Sequence, residues 1–414
     1  MTSVDIARRL PRASRERAAQ WLGILEPQDW TLERIIATLD GAPVAENADA
    51  LGRFVYAALP SFPAPWHLRG VIDSFRVTVT LDSEPPRAIS GIALADVASI
   101  ARMLDVTLAE LEWFADAGCW LRHSPTPLRH YRIRHIAKPA GGVRVIEAPK
   151  PRLAEAQRRI LRRVLNPVQP HPAACGFRPG GSVLAYASPH VGAASVVRLD
   201  LRDCFTTITA DRVRKLFRSL GYPPMVARIL ADLCTTATPG DELRGLDAWQ
   251  AASLRSRHLP QGAPTSPAVM NLAMRRLDAR LNGLAHAQGA HYTRYGDDLA
   301  FSNARNPSVI AAVAPKIIGA EGFSVNRAKT RVMRAGGRLE LAGVVVNERA
   351  QIPRGQYDEL RALLHNAARL GVDSQNRDGR TDFRAYVYGR IAWVSQGNSA
   401  RRERLLGMAA RVRW

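Results

Sequence analysis

Cysteine is scarce in this sequence, and its placement excludes two kinds of stabilising site. The four cysteines lie far apart, without a CxxC pair or the spacing of zinc ligands, so we expect reduced thiols with a structural role. Long apolar runs are also absent, since no uncharged stretch of about 18 apolar residues occurs. The first residues lack the basic-then-apolar layout of a signal peptide. The sequence therefore predicts a soluble cytoplasmic protein with no membrane partner.

Basic charge, in contrast, is abundant and unevenly distributed. With 414 residues, of which 46% are hydrophobic, the chain has room for two or three globular domains. Its net charge is +21, yet residues 1–115 hold 15 acidic and 11 basic side chains, so the remaining residues carry +25. A basic body of this size is typical of a surface that binds polyphosphates. Arginine outnumbers lysine 53 to 5, which suits bidentate phosphate contacts, although genomic base composition produces the same bias.

Residues 1–90 are predicted to form a separate module, for which the sequence suggests no chemistry. Helical periodicity predicts helices over Ile6–Leu25 and Leu32–Leu39, and an alternating pattern predicts a strand over Phe75–Thr80. Two short helices are then expected within residues 94–121, where apolar side chains recur with helical spacing.

The spacing of apolar residues changes at Tyr131, where an alternating pattern typical of strands replaces the helical spacing. Tyr131–Ile136 and Val143–Ile146 read as two strands of a hairpin, joined by a turn that contains two glycines. Arg152–Leu165 is a basic amphipathic helix, and Val196–Leu201 is a short apolar strand that carries an acidic residue at its end. Beyond Asn347 the chain is predicted to be mostly helical and rich in arginine.

The most informative stretch is the tetrapeptide Tyr295–Asp298, which places Asp297 next to Asp298. It follows the strand-like His291–Arg294 and precedes the strand-like Leu299–Ser302, so we expect a hairpin with two carboxylates at its turn. Two like charges about 4 Å apart repel by roughly 4 kcal/mol at an effective dielectric of 20. A divalent cation with a preference for hard oxygen ligands would remove that cost. An exposed turn rich in aspartate is the alternative interpretation of the tetrapeptide alone.

Asp200 supplies a third carboxylate of the right kind. Nucleotidyl transfer through two Mg²⁺ ions needs carboxylates from neighbouring strands, so that the ions can activate the attacking hydroxyl and stabilise the phosphate. Asp200 ends the apolar strand Val196–Leu201 and would present its side chain at the strand end. Asp203 is a rival, but we interpret it as a helix-start residue and favour Asp200.

The order of these segments along the chain resembles that of the reverse transcriptases. Asp200–Phe205 resembles their motif A, and Leu259–Pro267, which contains Leu-Pro-Gln-Gly, resembles motif B. Six segments match in the family's order over about residues 95–414, which makes a chance match negligible. The others are Tyr295–Asp298 as motif C, Gly322–Thr330 as motif D, and Gly141–Pro149 and Gly176–Gly180 as motifs of the fingers.

The resemblance implies catalytic roles for four residues and a nucleotide-binding role for Phe205. Asp200, Asp297 and Asp298 would hold two Mg²⁺ ions, with Mn²⁺ as a substitute. Lys329 matches the motif D lysine that protonates the leaving pyrophosphate, with an ordinary surface lysine as the alternative. Phe205 matches the aromatic gate that rejects a ribose 2′-hydroxyl, although a core phenylalanine fits the sequence as well.

The resemblance also implies a set of nucleotide-binding residues. Gln261 and Gly262 would lie near the incoming base and the template, where a plain turn is the alternative. Lys138 and Arg144 would contact the triphosphate from the fingers, and Arg178 would contact either the triphosphate or the template. Solvated surface charge is the alternative for these three basic residues.

Two further elements are similar to those of the retron branch of the family. Retron enzymes carry Asn-Ala-x-x-His before motif A and Val-Thr-Gly after motif D. Ala187, His190 and Gly343 match these elements and are candidates for RNA recognition, whereas Tyr186 and Leu341–Ala342 depart from them. A helix-capping loop is the alternative for the first element. The resemblance also implies that Leu341–Val344 forms the primer grip hairpin, with a simple buried strand as the alternative.

The retron resemblance implies a specific activity and set of partners. The enzyme would use dNTPs to copy a structured noncoding RNA, priming from a guanosine 2′-hydroxyl and passing through an RNA–DNA hybrid. Its product would be a branched RNA–DNA molecule that serves in defence against phage, with an effector protein as a candidate partner. Other branches fit less well, because Pro267 follows the motif B serine and only 67 residues lie beyond Asn347.

Three alternatives stay open on the sequence alone. One is a reverse transcriptase of another bacterial branch, either similar to the group II intron enzymes or associated with defence. Another is an RNA-dependent RNA polymerase, which also uses Tyr-Gly-Asp-Asp but places an aspartate where Phe205 stands. The third is a non-catalytic RNA-binding or toxin-neutralising protein, which the presence of all three carboxylates disfavours.

The expected fold class is α+β, in the arrangement of a right-hand polymerase. An antiparallel palm sheet backed by helices would carry the carboxylates, and the motif B helix Ser266–Leu284 would begin with Pro267 in its first turn. The predicted domains are an N-terminal extension (1–90), a helical lead-in with the fingers (91–195), the palm (196–350) and a basic helical thumb (351–414).

Overall fold

The computed structural model describes residues 7–9, 12–40, 48–64, 67–69, 72, 76–78, 92–138 and 141–414. The chain divides into two compact units, Met1–Pro86 and Arg87–Trp414. The predicted division into an N-terminal extension, fingers, palm and thumb stays a prediction. Among the described residues, no helix combines the length and the apolarity that crossing a membrane requires.

In the described part of the first unit, helices pack around a small core of their own. Strands β1 (Ala7–Arg9) and β2 (Arg76–Thr78) pair in antiparallel register. The prediction of a helix from Ile6 is therefore wrong for residues 7–9, since these residues form main-chain pairs with β2 and the sequence places a proline directly before the first helix. Ile6, Phe75, Val79 and Thr80 lie outside the described residues. The helices are α1 (Arg12–Leu22), α2 (Leu32–Asp40) and α3 (Ala48–Ala58), and buried Leu22, Ile35, Leu39, Leu51 and Val55 lie between them.

The second unit contains eight strands and thirteen helices within the described part of the chain. The strands are β3 (Tyr131–Ala137), β4 (Val143–Pro149), β5 (Ser195–Asp200), β6 (His291–Tyr295), β7 (Asp298–Ser302), β8 (Arg331–Arg334), β9 (Glu340–Leu341) and β10 (Val344–Val345). The helices are α4 (Val97–Leu104), α5 (Leu108–Ala115), α6 (Pro151–Ile160), α7 (Val183–Ala187), α8 (Ala210–Ser219), α9 (Pro224–Cys234), α10 (Ala248–Arg255), α11 (Ser266–Ala273), α12 (Arg275–Ala287), α13 (Pro307–Ala320), α14 (Arg354–Leu370), α15 (Phe383–Val394) and α16 (Ser399–Ala409).

A four-stranded antiparallel sheet in the order β6-β7-β5-β8 lies at the centre of this unit. On β5, Val197 and Leu199 are buried against the main core, as are Leu299 and Phe301 on β7. These apolar side chains lie at alternate positions of each strand and bury this face of the sheet. The β-strand prediction is confirmed for both segments.

The β3–β4 hairpin projects as a separate two-stranded sheet with seven residue pairs, from Tyr131 opposite Pro149 to Ala137 opposite Val143. Both strands were predicted and are slightly longer than expected. The basic helix predicted over Arg152–Leu165 is present as α6, and it continues as a π-helical turn over Leu161–Leu165.

The helix predicted over Ser266–Leu284 begins as expected, with Pro267 in its first turn, but it is interrupted at Met274. The guanidinium of Arg212 donates to the carbonyl of Ala273 at 3.2 Å, so a side chain takes a main-chain acceptor at the break. A second core joins the C-terminal helices α14, α15 and α16 to the β9–β10 hairpin, which agrees with the predicted helical tail.

Candidate active site

Two carboxylates face each other across neighbouring strands of the central sheet. Asp200 ends β5 and is paired in register with Asp298, the first residue of β7. Directly opposed residues of an antiparallel pair have their Cα atoms about 4.5–5.5 Å apart and share one face of the sheet. The predicted juxtaposition of Asp200 with the doublet is therefore present.

Asp297 occupies the turn of the β6–β7 hairpin, next to Gly296. Gly296 has a φ of 64°, which is the left-handed conformation that a two-residue hairpin turn requires and that glycine adopts without strain. A Cβ atom at this position would also lie 2.9 Å from Cε2 of Phe177. The glycine of the tetrapeptide is thus required both by the turn and by the close approach of the Phe177 ring.

Negative charge accumulates at this turn. Burial, followed by the charges of Asp200 and Asp298, raises the pKa of Asp297 to about 6. Burial also raises the pKa of Asp298, against the opposing effect of Arg198, whose Nη2 and Nε donate to Asp298 Oδ1 at 2.8 and 3.1 Å. The buried carboxylates repel one another, and a positive charge close to them relieves that repulsion.

Two of these carboxylates form ion pairs with basic side chains in this structure. Lys329 donates from Nζ to Asp200 Oδ1 at 3.0 Å, while Arg198 binds Asp298. Within the described ranges, no group of three or more His, Cys, Asp or Glu side chains is arranged so that it could hold a metal ion. The donor chemistry itself fits a hard divalent cation, because Asp200 and Asp298 are paired in register, Asp297 lies in the adjoining turn, and the charges of Asp200 and Asp298 add to burial in raising the pKa of Asp297. Metal binding would require Lys329 to release Asp200.

Asp203 lies in a turn and not at the start of a helix, so that prediction is wrong. Its φ of 44° is left-handed, a conformation that aspartate tolerates better than most residues. The next helix, α8, begins at Ala210 and is capped by the Thr209 side chain. The Asp203 carboxylate contacts Lys138 Nζ at 3.5 Å and Arg202 Nε at 3.6 Å.

Phe205 is half-buried in the same turn and packs against the main core. The contact that a core phenylalanine would make is therefore present. Its role as a sugar gate stays a prediction.

Gln261 and Gly262 dock onto the fingers strand β4. The Gln261 carbonyl accepts the Glu147 amide at 2.8 Å, and Gly262 has a φ of 131°. A Cβ atom at Gly262 would lie 3.1 Å from the Glu147 carbonyl oxygen. The Leu-Pro-Gln-Gly segment is thus a close main-chain junction between palm and fingers, where a side chain at Gly262 would be strained.

The three basic residues of the fingers have different surroundings. Arg144 is exposed on β4, opposite Ile136. Arg178 is half-buried and donates to the Ala174 carbonyl at 3.5 Å, and Lys138 reaches Asp203. Nucleotide binding by Arg144, Arg178 and Lys138 stays a prediction.

The candidates for RNA recognition are explained by packing within the fold, and a role in binding RNA stays a prediction. Ala187 and His190 are fully buried, so neither side chain contacts RNA directly in this structure. The His190 ring bonds Ser302 Oγ through Nδ1 and Thr293 Oγ1 through Nε2, each at 2.7 Å, and so supports the β6–β7 hairpin from behind.

Gly343 lies in the tight turn between β9 and β10, where Leu341 pairs with Val344. Ala342 and Gly343 have φ values of 46° and 82°, as both central residues of a type I′ turn do. A Cβ atom on Gly343 would lie 3.3 Å from the Trp393 ring, so packing against α15 explains the glycine without RNA. The hairpin predicted at Leu341–Val344 is present.

Sequence reasoning missed several residues that build the site. Arg198 lies two residues before Asp200, and the two-residue period of a strand places both side chains on one face, so that signal was available. Arg294 is fully buried and forms an ion pair with Asp278, 16 positions earlier on α12, and nothing local in the sequence indicates that pair.

Comparisons with known proteins identify the family and several relatives of this chain. A family profile described as "Reverse transcriptase (RNA-dependent DNA polymerase)" matches residues 136–366. The Retron Mx65 reverse transcriptase of Myxococcus xanthus is 41% identical over 305 residues, which cover 70% of this chain and 69% of that protein. The Retron Mx162 enzyme of the same organism is 36% identical, with 68% of this chain and 61% of that protein covered. The Retron Ec86 reverse transcriptase of Escherichia coli is 33% identical, with 57% of this chain and 69% of that protein covered.

The likeness to solved structures is more distant. A telomerase from Candida Tropicalis, in complex with a fragment of telomeric RNA, covers 68% of this chain and 57% of its own at 13% identity and a TM-score of 0.35. A foamy viral protease-reverse transcriptase in complex with double-stranded DNA covers 88% of this chain and 60% of its own, at 14% identity and the same TM-score of 0.35.

Proposed function

We propose a mechanism and a substrate for this chain, which belongs to the reverse transcriptase family. It has the right-hand polymerase fold and the RNA-directed DNA polymerase activity of a retron-type enzyme. Asp200, Asp297 and Asp298 would hold two Mg²⁺ ions at the end of the central sheet. The observation that carries this proposal is the register of Asp200 with Asp298, with Asp297 in the adjoining turn.

The carboxylates provide a binding site for cations that the reaction requires. When bound, the ions would lower the pKa of the attacking hydroxyl and stabilise the charge that develops on the transferred phosphate. Asp200 is 4% exposed, and the pKa of Asp297 is raised by burial and, after it, by the charges of its carboxylate neighbours, so the site is sensitive to added charge. Arg198 neutralises one carboxylate and orients Asp298.

Lys329 has two tasks in this proposal. Without substrate it pairs with Asp200, and its half-exposed side chain is free to turn towards solvent when Asp200 binds a cation. Lys329 would then be the candidate proton donor to the leaving pyrophosphate. A lysine ammonium can give up a proton, whereas the guanidinium of an arginine stays protonated.

The dNTP would bind between the fingers hairpin and the palm. Gln261 and Gly262 form the junction between these parts, and the basic side chains Lys138, Arg144 and Arg178 would contact the triphosphate or the template. The ring of Phe205, half-buried in the turn after β5, would exclude a ribose 2′-hydroxyl. Exclusion by an aromatic ring supports deoxynucleotide synthesis over RNA synthesis.

The proposed substrate is a structured noncoding RNA that serves as both template and primer. Synthesis from a guanosine 2′-hydroxyl would give a branched RNA–DNA molecule, with a role in defence against phage and an effector protein as partner. The retron relatives and the net charge of +21 support this part of the proposal.

The test is to recover the nucleic acid that co-purifies with the chain and to map its linkage. We expect a short DNA joined to RNA through a 2′–5′ bond, made from dNTPs and not from NTPs. A matched variant, Asp297→Asn with Asp298→Asn, should bind the same RNA and carry no DNA. Undiminished DNA synthesis in that variant would show that the metal site is wrongly assigned, and a purely 3′-primed product would refute the retron mode of priming.

A further inference from the structure

Arg294 is a fully buried arginine directly before the catalytic tetrapeptide, and its guanidinium connects three parts of the fold. It lies on β6 with 0% exposure and is the largest of the fully buried side chains in the described residues. A buried charge of this size costs several kcal/mol unless it is paired and hydrogen-bonded. The charge and the hydrogen-bond donors of the Arg294 guanidinium therefore need partners among the surrounding residues.

The first connection is to the helix that follows motif B. Nε and Nη2 of Arg294 donate to Oδ1 and Oδ2 of Asp278 at 2.8 and 2.7 Å, a two-pronged pair in which both side chains are fully buried. Tyr292 also donates to Asp278 Oδ1 at 2.8 Å. Two parallel hydrogen bonds fix the plane of the guanidinium as well as its position.

The second connection is to the catalytic turn itself. Nη1 of Arg294 donates to the Gly296 carbonyl at 3.0 Å, which holds the main chain of the turn that carries Asp297. The plane of the guanidinium, fixed by Asp278, thereby determines where this carbonyl lies.

The third connection runs through Asn271 to the loop of the fingers that contains Gly176 and Phe177. Nη1 of Arg294 donates to Asn271 Oδ1 at 2.9 Å, and Asn271 Nδ2 donates to the Gly176 carbonyl at 2.8 Å. The loop also pairs with the Arg294 main chain, since the Cys175 amide donates to the Arg294 carbonyl at 2.8 Å. The ring of Phe177 covers Gly296 from the other side.

We propose that Arg294 is a positioning residue for catalysis, which through Asp278 and Asn271 couples the 173–180 loop and the motif B helices to the position of the Asp297–Asp298 turn. The inference rests on the proposed metal-binding role of that doublet. Arg294 does not touch substrate; it acts by holding the carboxylates where they bind cations and reacting groups. A displacement of about 1 Å in such a group can cost about 10²-fold in rate.

The experiment compares Arg294→Lys with Arg257→Lys in the full chain with its RNA. Lysine at 294 keeps the positive charge beside Asp278 but cannot bond Asp278, Asn271 and Gly296 together. Arg257 is a suitable control because it is 14% exposed and donates to the carbonyls of Ala115, Asp116 and Asp232, away from the catalytic turn. Both variants are compared at equal folded fraction, determined by thermal unfolding.

Two readouts separate positioning from general stability. We expect Arg294→Lys to lower kcat by about 10²-fold, with the dNTP KM changed by no more than about threefold. Mn²⁺ binding, followed by electron paramagnetic resonance without dNTP, should weaken by about tenfold, which is about 1.4 kcal/mol. Arg257→Lys should change neither quantity. Equal kcat values and equal Mn²⁺ affinities in the two variants would overturn the inference.

Asn271→Ala tests the connection to the fingers and retains the Arg294–Asp278 pair if the lysine variant fails to fold. We expect a roughly tenfold lower kcat at unchanged dNTP KM, and no further loss when Asn271→Ala is added to Arg294→Lys, because both act along one chain of contacts. An unchanged kcat in Asn271→Ala, or a fully multiplicative double variant, would contradict the coupling. Activity that survives Asp297→Asn with Asp298→Asn would instead refute the proposed function, so the two failures are distinguishable.

Discussion

Lys329 offers a prediction in which two measured quantities change in opposite senses. In the structure its ammonium binds Asp200 at 3.0 Å, and a metal ion at Asp200 must replace that contact. Substitution by alanine removes the competitor for the cation and also removes the proton donor. We therefore expect Lys329→Ala to bind Mg²⁺ or Mn²⁺ more tightly and yet to polymerise more slowly.

The magnitudes follow from exposure and from the chemistry of proton transfer. The Lys329 side chain is 52% exposed, so solvent screens its pair with Asp200 and the pair contributes at most about 1 kcal/mol. Apparent metal affinity should thus rise by no more than about fivefold. Loss of a general acid typically costs about 10²- to 10⁴-fold in rate, so kcat should fall by at least about 10²-fold.

The assay is single-turnover dNTP incorporation on the co-purified RNA, with the metal concentration varied. Lys329→Arg is the informative companion, since it retains the charge beside Asp200 but cannot lose a proton near neutral pH, and it should be as slow as the alanine variant. Lys316→Ala, which removes an exposed lysine on α13, is the matched control and should behave as wild type. A normal kcat in both Lys329 variants would refute the role of Lys329 as proton donor.

Three further predictions concern sugar selection, the palm–fingers junction and buried His190. Phe205→Ala should admit ribonucleotides, because the half-exposed ring is removed; dNTP and NTP incorporation measured in parallel checks this, and unchanged discrimination would contradict it. Gly262→Ala should destabilise the chain by about 1–3 kcal/mol and raise the dNTP KM, since its φ of 131° and the nearby Glu147 carbonyl oppose a side chain; denaturant unfolding and kinetics test it. Burial and the nearby His291 charge lower the pKa of His190 from 6.5 to about 4, so the unfolded chain takes up the proton first and stability is lost as pH falls from about 6.5 towards 4. That loss should be up to about 3 kcal/mol larger in wild type than in His190→Asn, in unfolding curves measured at several pH values, and equal losses would show that the histidine is not buried neutral.

The central sheet and its carboxylates could be predicted because their signals are local. Short apolar runs on β5 and β7 indicate buried strands, and Gly296 before the acidic doublet indicates a turn. Asp200 could be matched to the doublet since a strand end is where a single carboxylate can meet a neighbouring hairpin. The preference of divalent cations for carboxylate oxygens explains why Asp200, Asp297 and Asp298 are expected to lie together.

The features that escaped prediction depend on tertiary contacts. Arg294 in an apolar strand has no local sign of its partner, because Asp278 lies on a helix in a different segment. The interruption of the motif B helix at Met274 coincides with a side chain from α8, namely Arg212, that bonds the Ala273 carbonyl. Asp203 is a residue type that often begins a helix. It lies instead in a turn, where its carboxylate contacts the Lys138 and Arg202 side chains.

His190 shows how a motif can be recognised while its physical role is misjudged. Its position in the retron-like element led to a prediction of RNA recognition. The structure instead places the ring between Thr293 and Ser302 on the hairpin that carries the doublet. The sequence could not show this, because the three residues are brought together by the packing of the loop before β5 against β6 and β7.

The most direct test of the account compares Asp200→Asn with Asp203→Asn in RNA-templated dNTP incorporation at saturating Mg²⁺. The two aspartates are three residues apart, but Asp200 is paired in register with Asp298 whereas Asp203 contacts Lys138. We expect Asp200→Asn to lose at least about 10³-fold in kcat, on the scale that loss of a major electrostatic contact to the transition state produces, and Asp203→Asn to lose far less. Full activity in Asp200→Asn, or a larger loss in Asp203→Asn, would contradict the assignment of the metal site.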